Sequence, residues 1–378
     1  MYCHPYFEDI EAIQTHIPSW KNLSPDQLRF TRLAGLSNKI WKVQSLDPTV
    51  HPQAVVFRKF GTASIVDREK ENYILRALGE KGVGAPFYAG TNTYRIEKYC
   101  ESNHLNPSEL NETRNRRRLA KVLGELHSVK LQNLDHTPLF MRVLEERDLI
   151  KLAQEKVLHK EDLYTRDEKK MLEKIMALTD EKEISFLKSI APKKPESVTF
   201  SHNDLHSENI LCLKKNHRLL LIDYEYSDYN YRGYDIANLF NESLFEYHSG
   251  AIPCYTLDES KFPTQDELHD FIKYYLFFYK FSPSQSEIQE ILADEEALND
   301  FIDKNYDRDM FIDEVEDIAE EVKACSLFSH YYWIIWSIVM SKRADIKFDY
   351  ITYANDRLEI YQKFKRRFFG RKASRTNL

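Results

Sequence analysis

Acidic and amide side chains cluster around two short apolar runs, FSHNDLHSENILCL (200–213) and RLLLIDYEYS (218–227). Asp204 follows one predicted strand, Asn209 begins the next, and Asp223 ends the third. We expect a tight hairpin to bring these three side chains to one rim. Carboxylate and amide oxygens suit Mg²⁺, which usually completes its octahedron with waters and substrate phosphates. The pattern therefore favours Mg²⁺ at Asn209 and Asp223, with Asp204 free to orient or deprotonate a hydroxyl that attacks a phosphoryl group.

A plainer interpretation is that each of these polar residues caps a turn. A single Asp or Asn after a strand usually has that role. Solvated turns rarely need so many acceptors beside an apolar strand pair, however, and His202, Asn203 and Glu225 belong to the same group. The combination favours a site that holds a charged ligand.

The composition is that of a soluble globular protein with a large core, since 42% of the residues are hydrophobic and 30% are charged. Two lobes or domains are the default expectation for 378 residues. The net charge of −7 argues against non-specific binding of nucleic acid, because a phosphate backbone needs a basic face. A small anionic ligand in a local basic pocket stays compatible with it.

The cysteines and the apolar stretches indicate a cytoplasmic protein. Five scattered cysteines form no CxxC pair, so we predict neither a disulfide framework nor a zinc site and favour a reducing compartment. The N-terminus carries acidic residues where a signal peptide needs an apolar run. The apolar stretch 327–340 falls short of the roughly 20 residues of a spanning helix, so no membrane span is expected.

The order of predicted elements indicates a small mixed lobe followed by a large helical one. The first part has predicted helices at 8–20, 25–30 and 64–82, and predicted strands at 40–46, 54–60 and within 86–100. Asn106 and Glu109 form a capping-box pattern, and helices dominate from there onward. The exceptions are short strands at 198–202, 209–213 and 218–224. We expect an N-terminal lobe of residues 1–98, a C-terminal lobe of residues 99–378, and a ligand cleft where they meet.

If a nucleotide binds, the N-terminal lobe should supply its phosphate contacts. The chain has neither GxxxxGK nor GxGxxG. In LAGLSNKIW (33–41), Ser37 and Asn38 follow a glycine and can form a turn that presents backbone N–H groups and a hydroxyl to phosphate. Arg58 and Glu71 occupy the places of the strand cation and helix carboxylate whose ion pair positions phosphates in kinases. A surface salt bridge is the simpler interpretation of that pair.

Two long segments resemble the choline/ethanolamine kinases. Residues 200–242 resemble that family's pattern HNDxxxxNI followed by IDFEYxxYNYxxYDIxNHFxE, and residues 331–361 resemble its Trp-x-x-Trp helix and FDYxxYAxxRxxxY run. The resemblance implies an α+β fold of the protein-kinase-like, two-lobed type, shared with aminoglycoside phosphotransferases. It implies transfer of the γ-phosphate of Mg-ATP to the hydroxyl of choline or ethanolamine. It also makes a homodimer a candidate assembly.

The resemblance assigns roles to individual residues. It implies that Asp204 is the catalytic base and that Asn209 and Asp223 hold Mg²⁺. It implies that ATP is held by Ser37, Asn38, Arg58, Glu71 and the backbone of Glu97–Tyr99. It places Glu225 near the metal or the substrate. It places these residues at the amino-alcohol site: Tyr226, Glu242, Tyr247, Trp333, Trp336, Phe348 and Tyr353. The chain departs from many relatives in having one glycine in its phosphate loop and in placing His206 and Glu208 where Leu and Gly are common.

The substrate determines what the pocket must contain. A trimethylammonium group has no N–H donors, so ring faces and negative charge must recognise it. Trp333 and Trp336 are three residues apart and should share one helical face, although an aromatic stripe is ordinarily core. We favour choline as the substrate, with ethanolamine or another small-molecule acceptor as the alternative. A catalytically silent relative would be expected to lack Asp204, Asn209 or Asp223, and all three are present.

Overall fold

The structure is a computed structural model that describes residues 6–33, 39–61, 67–159, 161–247, 251–343 and 347–373. The chain packs as two compact units. The first contains residues 1–104 and 209–227, and the second contains residues 105–208 and 228–378. The expected division into lobes at residues 98 and 99 stays a prediction, and we describe each unit by itself.

The strands of the described residues, in chain order, are β1 Leu28–Leu33, β2 Lys39–Ser45, β3 Ala54–Lys59, β4 Phe87–Gly90, β5 Tyr94–Lys98, β6 Ser102–His104, β7 Val198–Ser201, β8 Ile210–Leu213, β9 Leu219–Leu221, β10 Asp228–Tyr231, β11 Phe245–Tyr247 and β12 Tyr255–Leu257. The α-helices are α1 Phe7–His16, α2 Arg68–Glu80, α3 Pro107–Leu110, α4 Thr113–His127, α5 Leu139–Glu146, α6 Asp148–His159, α7 Arg166–Met176, α8 Glu181–Ile190, α9 Arg232–Glu242, α10 Gln265–Lys280, α11 Gln285–Ala293, α12 Glu295–Asn305, α13 Arg308–Met340 and α14 Tyr350–Ala373.

An antiparallel sheet of order β1-β2-β3-β5-β4 forms the centre of the first unit. Period-2 alternation turns Val43, Val55 and Ile96 to one face, where each is fully buried. Ile13 and Trp20, from α1 and the short 3₁₀ helix that follows it, are buried in the same hydrophobic cluster. The sheet therefore has one face covered by an N-terminal helical segment.

Strand β1 corrects one prediction. Residues 25–30 were expected to be helical, but only Pro25–Gln27 form a 3₁₀ turn, and β1 begins at Leu28. All six residues of β1 pair with β2, from Leu28 opposite Ser45 to Leu33 opposite Ile40. This long-range pairing overrides the local pattern, which is weak over so few residues.

Helix α2 begins where its N-cap predicts. The Asp67 carboxylate accepts hydrogen bonds from the backbone N–H groups of Glu69 and Lys70, both at 3.1 Å. Ile74, Leu75 and Leu78 are buried on its inner face. The prediction of a helix over 64–82 is confirmed for Arg68–Glu80, while residues 64–66 lie outside the described residues.

The predicted hairpin after residue 209 is present, but it does not include the strand before Asp204. Strands β8 and β9 pair antiparallel, with Ile210 opposite Leu221, and β6 adds to the other edge of β8. Strand β7 instead pairs with β10, which the sequence reasoning missed, in the second unit. The expectation that one hairpin carries all three polar residues is therefore wrong. Only Asn209 and Asp223 belong to it.

Helices dominate the second unit, as predicted. The capping box is confirmed, because Asn106 Oδ1 accepts the Glu109 N–H at 2.9 Å and Glu109 Oε2 accepts the Asn106 N–H at 2.8 Å. The helix stops at Leu110, however, and α4 starts afresh at Thr113. Helix α13 contains the apolar stretch 327–340 and packs against α9 and α14. Among the described residues, no helix is long and apolar enough to cross a membrane.

Gly124 allows α4 and α10 to approach closely. A Cβ at this position would lie 2.7 Å from the Tyr275 carbonyl oxygen and 2.8 Å from the Tyr279 nitrogen. Both atoms belong to the α10 backbone, so neither can rotate away. The contact between these helices also carries His127, at the end of α4, towards Tyr275.

We predict that Gly124→Ala lowers the free energy of unfolding by about 1–3 kcal/mol, because the helices must separate to admit a methyl group. Urea denaturation measures the effect. Gly370→Ala is the matched control, since a Cβ at this glycine of α14 has no atom within 4 Å. Equal stability of the two variants would contradict the close approach.

Candidate active site

A buried arginine, rather than the predicted one, holds Glu71 in the first unit. Arg95 Nη1 lies 2.6 Å from Glu71 Oε1, and Arg68 Nη1 lies 2.7 Å from Glu71 Oε2. The expected ion pair between Arg58 and Glu71 is wrong. Arg58 and Arg95 stand opposite each other on β3 and β5, and Arg95 reaches the helix carboxylate while Arg58 contacts Asp223 Oδ1 at 3.4 Å.

The charges around Arg95 compensate one another. Burial opposes its positive charge, but the carboxylates of Glu97 and Glu71 hold the pKa of Arg95 above its ordinary value. Glu97 Oε1 accepts from Arg95 Nε at 2.5 Å. Glu71 and Glu97 therefore both form ion pairs with the Arg95 guanidinium of β5. The pair with Glu71 fixes α2 against the sheet.

The structure describes only some of the residues that are predicted to bind the nucleotide. Ser37 and Asn38 lie outside the described residues. In the predicted adenine segment, the Lys98 N–H donates to the Pro86 carbonyl at 2.9 Å, and the Tyr99 N–H donates to the Ala54 carbonyl at 3.2 Å. Those two N–H groups are occupied within the unit.

Asn209 and Asp223 are neighbours at one end of the β8–β9 hairpin. The Ile222 N–H donates to the Asn209 carbonyl at 3.0 Å. Asp223 directly follows Ile222, so it is adjacent to this backbone hydrogen bond. Asp223 has φ +65°, in the left-handed region that is uncommon for residues other than glycine. Its side chain is 32% exposed, whereas Asn209 is buried, so a carboxylate beside an amide remains within reach of a ligand.

The donor atoms of Asn209 and Asp223 suit Mg²⁺. An amide oxygen and a carboxylate are hard donors. In the described part of the chain, no group of three or more His, Cys, Asp or Glu side chains is placed to hold a metal ion. A cation held by Asn209 and Asp223 would complete its coordination with waters and phosphate oxygens, as Mg²⁺ commonly does in phosphoryl-transfer sites.

Two further predicted residues belong to the first unit. Arg68 Nη1 lies 4.0 Å from Glu225 Oε2, two residues after Asp223. Tyr226 follows it and is half-buried. Arg68 thus contacts both Glu71 and Glu225.

In the second unit, a buried carboxylate fixes the segment before Asp204. Asp235 Oδ2 accepts the His202 N–H and Oδ1 accepts the Asn203 N–H, both at 2.7 Å. His127 Nε2 lies 3.0 Å from Asp235 Oδ2, and His127 Nδ1 lies 2.9 Å from the Tyr275 hydroxyl. Burial opposes ionisation, but the hydrogen bond and charge of His127 lower the pKa of Asp235 from its ordinary value.

The sequence reasoning missed both Asp235 and His127. Asp235 lies in the run YDIANLFNE (234–242), which resembles the family pattern, but the resemblance assigns no role to it. His127 is 108 residues away from Asp235 in the chain. The only local signal was a histidine beside the apolar positions of its predicted helix.

Asp204 is the third residue after the end of β7 at Ser201. Its N–H lies 3.3 Å from His202 Nδ1, and its Oδ2 lies 3.7 Å from His206 Nε2. His206 was one of the two departures from the family pattern. The structure places it next to the predicted base.

The two predicted tryptophans lie together and join a larger aromatic cluster. The Trp333 and Trp336 rings of α13 meet edge to face with centroids 5.3 Å apart. Tyr350 links them to the next segment, because its ring lies 5.8 Å from Trp336 and 4.8 Å from Phe348. Phe348 in turn lies 5.3 Å from Tyr353.

Glu242 is not an isolated carboxylate. Arg357, which is fully buried, donates to Glu242 Oε1, and the Tyr247 hydroxyl donates to Oε2 at 2.6 Å. The Tyr247 and Tyr353 hydroxyls are 2.8 Å apart. The charge of Glu242 is therefore largely balanced inside the protein.

Asp204 lies within electrostatic reach of this aromatic cluster. Burial is the main reason why the pKa of Tyr247 is raised well above its ordinary value, and the charges of Asp204 and Glu208 add to it. The pKa of Tyr353 is raised by burial, again with a contribution from Asp204. Both phenols are neutral hydrogen-bonding groups, and Asp204 lies in the same unit as the two tyrosines.

We predict that Asp235→Asn lowers the free energy of unfolding by about 3 kcal/mol or more. An amide accepts one of the two loop N–H groups but turns its own N–H₂ towards the other, and His127 loses its ionised partner. Chemical denaturation with far-UV circular dichroism measures this loss.

The control is Tyr275→Phe, which removes only the hydroxyl beside His127 and should cost roughly 0.5–1.5 kcal/mol. A loss in Asp235→Asn no larger than in this control would show that the carboxylate does not hold the loop.

The comparisons with known proteins agree on one family. The family model described as choline/ethanolamine kinase matches residues 31–362. The chain is 29% identical over 362 residues to a probable ethanolamine kinase of Arabidopsis thaliana, covering 94% of this chain and 84% of that protein. It is 28% identical over 354 residues to the choline/ethanolamine kinase of Homo sapiens, covering 91% of this chain and 82% of that protein.

A solved structure has the same fold. The choline kinase from Cryptosporidium parvum aligns with a TM-score of 0.71 at 23% identity, covering 97% of this chain and 96% of that one. The prediction of an α+β fold of the kinase-like type, with a small sheet-containing part and a large helical part, is confirmed. The chain belongs to the choline/ethanolamine kinase family.

Proposed function

We propose that this protein transfers the γ-phosphoryl group of ATP to the hydroxyl of an amino alcohol, with choline as the preferred acceptor. The observation that carries the proposal is that Asp204 and the aromatic cluster lie in one unit, and that Arg357 balances the Glu242 carboxylate of that cluster. Family membership supports the reaction class. Ethanolamine is the alternative acceptor.

Asp204 is the proposed base. The substrate hydroxyl oxygen attacks the γ-phosphorus, its proton passes to the Asp204 carboxylate, and the bond to the bridging oxygen of ADP breaks. Fixing of the loop by Asp235 supports this role, because a base works only when it lies within hydrogen-bonding reach of the proton.

Asn209 and Asp223 are the proposed holders of Mg²⁺. The chemistry that the ion supplies is neutralisation of charge on the ATP phosphates. The Asp223 carboxylate accepts a hydrogen bond from Arg58 through Oδ1. Arg58 is the proposed phosphate ligand, and Glu71 supports the site by holding α2 through Arg68 and Arg95.

The hydrogen bonds of the sheet bear on which backbone groups can contact the nucleotide. We retain Ser37 and Asn38 as phosphate ligands and the Glu97–Tyr99 segment as the adenine contact. Because the N–H groups of Lys98 and Tyr99 are already bonded, backbone carbonyls of that segment are the better candidates for the adenine amino group.

Aromatic faces are proposed to hold the cationic end of the substrate. A trimethylammonium group gains about 0.5–2 kcal/mol from each well-placed ring. We assign this role to Trp333, Trp336, Tyr247, Phe348 and Tyr353 of the second unit, where Glu242 bonds to Tyr247. We retain Glu225 and Tyr226 as substrate ligands on the family resemblance alone. A polycationic antibiotic acceptor would instead need an open acidic surface, which disfavours aminoglycosides.

We also propose a homodimeric assembly and a cytoplasmic location. The first is supported by the family resemblance alone. The second is supported by the described cysteines, which form no disulfide with one another and suit a reducing compartment: Cys100, Cys212, Cys254 and Cys325.

We expect Mg-ATP-dependent release of ADP with choline or ethanolamine, no comparable release with an aminoglycoside, and loss of turnover when EDTA removes Mg²⁺. A coupled assay of ADP over a panel of acceptors measures this. Lack of turnover with both amino alcohols would overturn the proposed function.

We expect Asp204→Ala to lower kcat by about 10²–10⁴-fold while the affinity for ATP stays nearly unchanged, because a base acts mainly in the transition state. Steady-state kinetics and nucleotide titration separate the two effects. A matching fall in ATP affinity would assign Asp204 to the metal instead.

A further inference from the structure

We propose that Asn238 is a positioning residue that couples the amino-alcohol pocket to the catalytic loop, an inference that rests on the proposed function. Asn238 lies on α9 and is fully buried. Its Nδ2 donates to the Leu205 carbonyl at 3.1 Å. Its Oδ1 accepts from Trp333 Nε1 and from Ser329 Oγ, both at 2.8 Å.

One side chain therefore contacts both parts of the site. Leu205 directly follows Asp204, so its carbonyl belongs to the loop that carries the proposed base. Trp333 is one of the two pocket tryptophans, and its ring packs on Trp336. The Asn238 amide supplies an N–H donor to the loop carbonyl and a carbonyl oxygen that accepts from the two donors of α13.

The burial of this group of bonds makes the link stiff. Asn238, Leu205 and Ser329 are fully buried, and Trp333 is 7% exposed. A buried amide whose bonds are broken has no water to replace them. Movement of the Trp333 ring therefore strains the hydrogen bonds of Asn238, and through them the backbone next to Asp204.

A second buried asparagine on the same helix provides a matched control. Asn241 is also fully buried on α9, and its Nδ2 donates at 3.0 Å to the Ser326 carbonyl of α13. This bond joins the same two helices but contacts neither the catalytic loop nor a pocket tryptophan. A purely structural role for buried asparagines predicts similar effects at both positions.

The test compares Asn238→Ala, Asn241→Ala, Trp333→Phe and Ser329→Ala in the full chain, with choline and Mg-ATP. Trp333→Phe keeps an aromatic face but removes the N–H donor, and Ser329→Ala removes the other donor to the same oxygen. We expect Asn238→Ala to lower kcat at least tenfold with ATP affinity unchanged, and Asn241→Ala to change kcat less than twofold.

A double-mutant cycle tests the coupling itself. The effect of Trp333→Phe on kcat should shrink at least threefold in the Asn238→Ala background, because the link through which it acts is absent. Additive effects of the two substitutions would overturn the inference. If Asn238→Ala does not fold, the single variants decide: Trp333→Phe must lower kcat more than Ser329→Ala.

The outcomes separate this inference from the proposed function. A wild-type protein that phosphorylates neither amino alcohol overturns both. A wild-type protein that is active, combined with equal kcat values for Asn238→Ala and Asn241→Ala, overturns the coupling alone and leaves the proposed function in place.

Discussion

A single buried carboxylate, Asp235, is the constraint on which the second unit depends. Removing a carboxylate from water costs several kcal/mol, and the cost is offset only when hydrogen bonds satisfy the charge. Here the His202 and Asn203 N–H groups and His127 supply those bonds. The same bonds that make the charge tolerable fix the backbone immediately before Asp204, so stability and placement of the proposed base have one cause.

The helices are arranged around that carboxylate and its neighbours on α9. His127 brings the end of α4 to Asp235, and the Tyr275 hydroxyl ties α10 to the same histidine. One turn after Asp235, Asn238 bonds to Leu205 and to Trp333 of α13. Helix α9 thus supplies polar groups at successive turns to the loop and to the pocket. This explains why it is buried along its whole length although it contains charged residues.

Charge is balanced differently in the first unit. Glu71 forms ion pairs with Arg68 and Arg95, and Glu97 also pairs with Arg95. These charges are therefore largely balanced within the sheet and α2. Arg58 has a longer contact, 3.4 Å to a partly exposed Asp223. The Arg58–Asp223 contact is thus longer than the contacts of Glu71 and Glu97 with the guanidinium groups of Arg68 and Arg95.

Local patterns predicted what local physics determines. The hairpin of β2 and β3, the cap of α3 and the strands around residues 198–221 all follow from alternation, turn chemistry and capping. The failures lie where distant segments decide. Strand β1 forms because β2 pairs with it, and β7 pairs with β10 instead of β8. Glu71 forms its ion pair with Arg95 instead of Arg58. Asp235 and His127 acquire their role only when α4 and α9 meet.

The central claim is that ring faces, with Glu242 balanced by Arg357, recognise the cationic end of the substrate beside Asp204. The most direct test is the ratio of kcat/KM for choline to kcat/KM for ethanolamine under saturating Mg-ATP. Recognition by aromatic faces predicts a ratio above one, because methyl groups add contacts with the rings and need no hydrogen-bond acceptor. A ratio well below one would mean that an unbalanced carboxylate binds an ammonium N–H, and would contradict this account of the pocket.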